Sequence, residues 1–242
     1  MTTLAKILVT TLLGLVLFSC NFDMNLAPGV KGNGNVTTEE RTLDQSFNAI
    51  EVSRGLDVYL TQNSNESLRI EADENLHDII ITVVENNTLK IYADENISYS
   101  KAKKVMVNFK HVNSISSTSG SDVYGTSPIS EENLVLITTS GSDMELEVIT
   151  NNLECKSTSG SDLKLSGQTK SLAAEATSGS DIKAGNLIAE SSTVKATSGA
   201  DITVNTSKKL VAKATSGGDI KYYGNPENVE KNDGASGSIS KQ

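Results

Sequence analysis

Six aspartates occupy matching places in a repeated pentapeptide: Asp122, Asp143, Asp162, Asp181, Asp201 and Asp219. Each closes a copy of Thr-Ser-Gly-Ser-Asp. The fifth copy reads Thr197-Ser198-Gly199-Ala200-Asp201 and the sixth reads Thr215-Ser216-Gly217-Gly218-Asp219. Carboxylates repeated in this way could accept hydrogen bonds from the backbone N–H groups of their turns, as Asp does in Asx turns. They could instead share a hard cation such as Ca²⁺ with turn carbonyls, although the Ca²⁺-binding β-helix repeat that also pairs Gly with Asp has a much shorter period. They could also hydrogen-bond sugar hydroxyls. A fourth use is the carboxylate pair of a retaining glycosidase, about 5 Å apart. That chemistry needs two carboxyls in different environments with their pKa values pushed apart. Six near-identical positions do not supply the difference, so the column reads as scaffold or repetitive binding surface and the chain as non-enzymatic.

Other side chains offer less. His77 and His111 show no metal-ligand spacing and read as surface residues. The serines lack a nucleophile-elbow pattern. The threonines that open the copies, Thr118 through Thr215, read as outward strand formers. Lys156, Lys183, Lys195, Lys213 and Lys221 are placed to offset the acidic column, and Lys101-Ala102-Lys103-Lys104 reads as a solvated loop.

The elements that position these groups follow from the period. The copies begin at Thr118, Thr139, Thr158, Thr177, Thr197 and Thr215, so they start 21, 19, 19, 20 and 18 residues apart. This is too short for a βαβ unit, which takes about 30 residues. It suits one coil of a parallel β-helix, with coils stacked at about 4.8 Å. Period-two alternation supports strands on both sides of each turn. It places Leu172, Ala174, Ala176 and Ser178 inward in the fourth copy. In the fifth it places Val194, Ala196, Ser198, Ile202 and Val204 inward, and in the sixth Ala212, Ala214, Ser216, Ile220 and Tyr222. Cys155 falls on the inward face beside Leu153 and reads as a small core residue. Ser53-Arg54-Gly55-Leu56-Asp57-Val58 and Ala235-Ser236-Gly237-Ser238-Ile239 look like degenerate copies at the two ends. Open solenoid ends are sheet edges, which leaves room for self-association.

The N-terminus reads as a lipoprotein signal. Lys6 precedes an apolar run from Ile7 to Phe18, too short to span a bilayer, and Leu17-Phe18-Ser19-Cys20 has the form of a lipobox. The expected organisation is therefore a signal peptide over 1–19, then lipidated Cys20 and a flexible tether over 20–35, then one solenoid domain over 36–242. Within that domain, 36–117 forms less regular coils, 118–223 the six regular coils and 224–242 a C-terminal cap or tail. Asn21 after the cysteine is consistent with an outer-membrane destination. The chain carries 21 basic and 30 acidic residues, a net charge of −9, which argues against nucleic-acid binding. Trp is absent and aromatics make up 4%, in keeping with a narrow lumen filled by small and medium side chains.

Arg41, Phe47, Ile50, Val52, Gly55, Asp57, Val58, Leu60 and Gln62 open a longer string of strand residues. It continues through Leu68-Arg69-Ile70, Leu89-Lys90-Ile91 and Val105-Met106-Val107-Asn108-Phe109 to the Ser-Gly-Ser-Asp copies, and Tyr223-Gly224-Asn225-Pro226 closes it. This string resembles the head GIN domain family, described as auto-transporter adhesins and common in secreted or lipid-anchored proteins of the Bacteroidetes. The resemblance covers about residues 35–240. It implies a right-handed parallel β-helix in the cell envelope, with no catalytic residues. The expectation for function is a non-enzymatic envelope lipoprotein that binds a glycan or protein, held to the membrane by its lipid. A spacer module without a ligand and a polysaccharide-active β-helix enzyme are the alternatives. No cofactor is implied, apart from Ca²⁺ in the cation reading of the column.

Overall fold

The computed structural model describes residues 29–242. The expected signal peptide and lipidated Cys20 lie outside the described residues.

The chain forms a β-solenoid of stacked parallel coils. Its regular part runs through strands Ile129–Thr139, Asp143–Thr158, Asp162–Thr177, Asp181–Thr197 and Asp201–Thr215, each paired in parallel with the next. The Ser-Gly turn is the break between successive strands. Equivalent residues stack in columns, because the parallel register repeats at every coil. One lumenal column reads Val105, Val58, Val123, Met144, Leu163, Ile182, Ile202, Ile220 and Ile239. Every member is at most 8% exposed. Burying a branched aliphatic side chain of this kind contributes about 1.5–3 kcal/mol, so the lumen is the main source of cohesion. Cys155 sits in a parallel column and is buried, with its thiol pushed up by burial.

The uneven spacing of the copies resolves into local bulges. The pairing shifts between Lys164 and Ser166, where the next coil holds one extra residue, which makes that coil 20 residues long. The following coil drops three residues opposite Ala184–Ile188 and regains one opposite Ala189–Ser191, giving 18. The turns and the lumen stay in register, so the length differences are confined to one side of the solenoid.

The N-terminal third departs from sequential coiling. The coil made by Ala49–Ser53 and Asp57–Gln62 lies between two others. On one side is the first of the coils that then follow in order, Ser114–Ser117 and Asp122–Gly125. On the other is Thr88–Ala93 and Lys103–Phe109, a coil that falls between these two in sequence but stacks outside them. Antiparallel strands close this end: Val36–Arg41 pairs with Ser67–Asp73, Ser67–Asp73 with Lys103–Phe109, and Ile80–Glu85 with Thr88–Ala93. The last pair is a hairpin with Asn86 and Asn87 both at positive φ, residues suited to that turn. At the other end, Asn228–Asp233 and Ser238–Lys241 form a last partial coil over Asp201–Tyr223.

Two expectations change here. The C-terminal degenerate copy is displaced by one residue: Ser238, rather than Ile239, stacks on Asp219, and Ser236 takes the place of Gly217. Lys103 and Lys104 belong to a strand rather than a solvated loop, and Ala102 is buried.

Candidate functional site

Each turn is built by its Ser-Gly pair. Both residues hold positive φ in all six copies, 55–59° at Ser and 69–77° at Gly, and Arg54-Gly55 repeats the geometry. Gly reaches this region without strain, whereas Ser does so at a cost of about 1–2 kcal/mol. The turns are tied coil to coil: Gly141 N–H donates to Ser159 O at 3.1 Å and Gly160 N–H to Ser178 O at 3.2 Å.

This geometry turns the first serine outward. Ser178, Ser198 and Ser216, expected in the lumen, are exposed. The fourth turn residue goes inward instead, as Ser121, Ser142, Ser161, Ser180 and Ala200, all fully buried. These serines close the turn. Ser161 Oγ accepts from Thr158 N–H at 3.2 Å and donates to Thr158 O at 2.8 Å, and Ser142 and Ser180 accept from Thr139 and Thr177 at 3.1 Å. Ser117, Thr138 and Ser157, one strand position before the turn, join them in a buried hydroxyl seam. Farther along the solenoid, Ala176, Ala196 and Ala214 replace the hydroxyls.

The aspartates stack as expected, and Asp57 extends the column to seven. Beyond Asp57 the register places Lys104, and beyond Asp219 it places Ser238. Among the described residues none of the seven carboxylates accepts a backbone N–H. The turn-bonding role expected of Asp falls to the buried serines. The column is only partly compensated. Lys183 Nζ lies 2.6 Å from Asp162 and 3.5 Å from Asp181, and Lys103 Nζ lies 3.6 Å from Asp57. Lys195 pairs instead with Glu175 at 2.6 Å, and Lys156 flanks the same glutamate. Burial and then the charges of Asp57 and Asp143 push the Asp122 carboxyl up; burial and then Asp181 and Asp219 do the same at Asp201. Among the described residues no group of three or more His, Cys, Asp or Glu side chains is arranged to hold a metal ion.

A second feature, not read from the sequence, lies on another side of the solenoid. A groove of about 740 Å³ runs across four coils. One wall is the outward column Ser130, Ile149, Gln168 and Ile188. The other carries Glu132, Asn151, Lys170 and Glu190. Between them Thr150 and Thr169 are buried and joined at 2.9 Å. Gly167, beside Gln168, has φ +104°, and a Cβ there would strike the Val148 carbonyl of the adjacent coil. Ile149 and Ile188 are 40% and 58% exposed, two of the few large hydrophobic side chains that face solvent among the described residues. At one end His111 is exposed and lies 3.3 Å from Glu131, which also accepts from Gln62 and from Val112 N–H. At the other end Glu190 pairs with Lys208 at 2.6 Å.

The family model described as "Putative auto-transporter adhesin, head GIN domain" matches residues 46–226. The chain belongs to that family. Solved structures with the same fold include a "putative adhesin" from Bacteroides fragilis, 24% identical with a TM-score of 0.83, covering 88% of this chain and 100% of that one. A "putative lipid binding protein" from Parabacteroides distasonis is 23% identical with a TM-score of 0.73, covering 88% and 99%. A "putative adhesin" from Parabacteroides merdae is 21% identical with a TM-score of 0.72, covering 88% and 98%. At such identities the likeness establishes the fold alone. No curated protein matches the chain.

In this head GIN domain the N-terminal cap holds the remaining polar cluster. Asp73 is fully buried and accepts from Gly34 N–H at 2.9 Å, Ala102 N–H at 3.0 Å and Lys101 N–H at 3.1 Å. Burial pushes its carboxyl up, but these amides and the Lys101 charge outweigh burial and hold it below the usual Asp range. Residues 29–35, expected as tether, are held against the fold through Asp73 and through Val30–Lys31, which pairs with Ile97–Tyr99. His77, expected at the surface, is 8% exposed, with Nε2 3.0 Å from Thr37 Oγ1 and Nδ1 3.2 Å from Glu39. His111 is exposed as expected.

Proposed function

We propose that the protein is a non-enzymatic adhesin of the cell envelope, anchored by lipid at Cys20 and binding its ligand on the outer face of the solenoid. The observation that carries this reading is the uniformity of the outward columns. Stacked Asp residues repeat one register along the solenoid instead of forming a single isolated pair of carboxylates, which disfavours the divided acid and base roles that hydrolysis requires. The family description points the same way. The Leu17-Phe18-Ser19-Cys20 sequence supports the anchor.

The test measures retention and turnover together. Purified protein is incubated with envelope polysaccharides, mucin and matrix proteins, and both bound protein and released fragments are followed. Saturable binding without fragments supports the adhesin. Fragment release abolished by one or two single Asp substitutions would make it an enzyme, and no binding to any of these surfaces would leave it a spacer.

A further inference from the structure

The groove across four coils is the feature that the scaffold does not require. The turns and the lumen account for the seam, the columns and the glycines, yet two isoleucines remain exposed there. They flank Gln168 in a single column. Among the described residues the side-chain amides of Gln168 and Asn151 are engaged by no other protein group. Concave sites of about 300–1,000 Å³ that combine apolar contact with a few free polar groups are the usual form of a small-ligand site.

We propose that this groove holds a neutral, linear polysaccharide lying along the solenoid axis, with about one sugar unit per coil. The inference rests on the adhesin reading and names its ligand class. Groups along each wall recur at the coil spacing of about 4.8 Å. A pyranose chain linked through opposite ring carbons advances by close to this step per unit, so successive rings meet successive coils. An extended peptide advances about 3.3 Å per residue and falls out of step within the groove. Ile149 and Ile188 offer flat aliphatic contact to the C–H faces of rings two units apart. Gln168 and Asn151 donate to and accept from hydroxyls between them. The charge of the walls selects against acidic polymers. Glu131, Glu132 and Glu190 outnumber Lys170 and Lys208, the latter paired with Glu190 at the groove's end, in a chain of net charge −9.

Calorimetric titration of the purified full-length protein tests this with cellohexaose, maltohexaose, laminarihexaose, hexagalacturonate and glucose as probes. At least one of the two 1,4-linked hexaoses, cellohexaose or maltohexaose, is expected to bind, and more tightly than 1,3-linked laminarihexaose, whose linkage does not join opposite ring carbons. Its affinity should rise with chain length and level off near the tetraose, matching the four coils of the groove. Hexagalacturonate should bind at least about tenfold more weakly, a difference of about 1.4 kcal/mol. Ile188→Asp and Gln168→Ala should each lower affinity by about tenfold or more without lowering Tm, since both side chains face solvent. Lys195→Ala, outside the groove, should leave binding unchanged. Binding by neither 1,4-linked hexaose, or binding indifferent to both groove substitutions, would overturn the proposal. If adhesion persists while the hexaoses fail, the ligand class is wrong and the adhesin reading stands. If a hexaose binds in the groove but the protein adheres to no surface, the adhesin reading fails and the groove assignment stands.

Discussion

Replacing Ser161 with alanine probes the buried seam beneath the turns. Ser161 is fully buried, and its hydroxyl donates to Thr158 O at 2.8 Å while accepting from Thr158 N–H at 3.2 Å. It also lies 2.9 Å from Ser157 Oγ and 3.2 Å from Thr138 Oγ1. Each such hydrogen bond contributes about 1 kcal/mol net, and a buried donor left without a partner costs about 1–3 kcal/mol. Ser161→Ala leaves the Thr158 amide without its side-chain acceptor and weakens two hydroxyl contacts, so the expected loss is about 2–4 kcal/mol. For a domain of this size, 1 kcal/mol corresponds to about 2–4 °C in Tm. Thermal unfolding followed by circular dichroism should therefore show a drop of roughly 4–16 °C. The double substitution Ser157→Ala with Ser161→Ala should cost less than the sum of the two singles, because removing both partners strands fewer polar groups. Ala176 and Ala196 with Ala200 show that the fold already accepts an apolar seam farther along. A Tm unchanged by Ser161→Ala, or strictly additive losses in the double variant, would refute the seam as the element that closes the turns.

Three further outcomes follow from the geometry. Ile182→Asp places an unpaired charge in the lumen and should abolish cooperative unfolding, whereas Lys183→Asp on the outer face should lower Tm by only a few degrees; equal tolerance would contradict the lumenal assignment. Gly160→Ala meets no atom within 4 Å and should cost only the handedness penalty of about 1–2 kcal/mol, whereas Gly167→Ala drives its Cβ into the Val148 carbonyl and should cost clearly more in a denaturant titration. Two aspartates should respond to pH with opposite sign: Asp73, held low when folded, stabilises above the ordinary Asp range and loses this as pH falls through its folded value, so Asp73→Asn should lower Tm at neutral pH and flatten the acid limb. Asp122, held high when folded, stabilises in its protonated form and loses this as pH rises through its folded value, so Asp122→Asn should raise Tm at neutral pH.

The architecture was legible because the period and the alternation are set by backbone geometry. A coil length near 20 residues with strand residues on both sides of a Ser-Gly pair admits few folds, and the family resemblance pointed to the same one. The lumenal positions Ile182, Ile202 and Val204 followed from alternation alone. Alternation failed at the turn itself. Two successive residues at positive φ swing Ser178 outward, although Ala176, Ser180 and Ile182 on either side of it keep the inward parity. The same step moved the hydrogen-bonding role from Asp181 to Ser180. The antiparallel cap was not legible, because its strands carry the same apolar residues as coil strands and only long-range pairing distinguishes them. Asp73 went unread for a similar reason: its amide donors are contributed by residues 34, 101 and 102, distant in sequence. The groove was hidden because a concave surface depends on how coils bend and bulge. Its one local signal was Gly167, a glycine within an otherwise regular strand.

The turns with their aspartate column form a scaffold, and the groove is the proposed binding face. Adhesion by beads coated with the full-length protein tests that division most directly. The comparison sets the unmodified protein against one variant carrying Asp143→Asn, Asp162→Asn and Asp201→Asn, and another carrying Ile188→Asp. The account predicts that the aspartate variant adheres as the unmodified protein does and that Ile188→Asp loses adhesion while keeping its Tm. Adhesion lost in the aspartate variant and kept in Ile188→Asp would contradict it and return the binding function to the aspartate column.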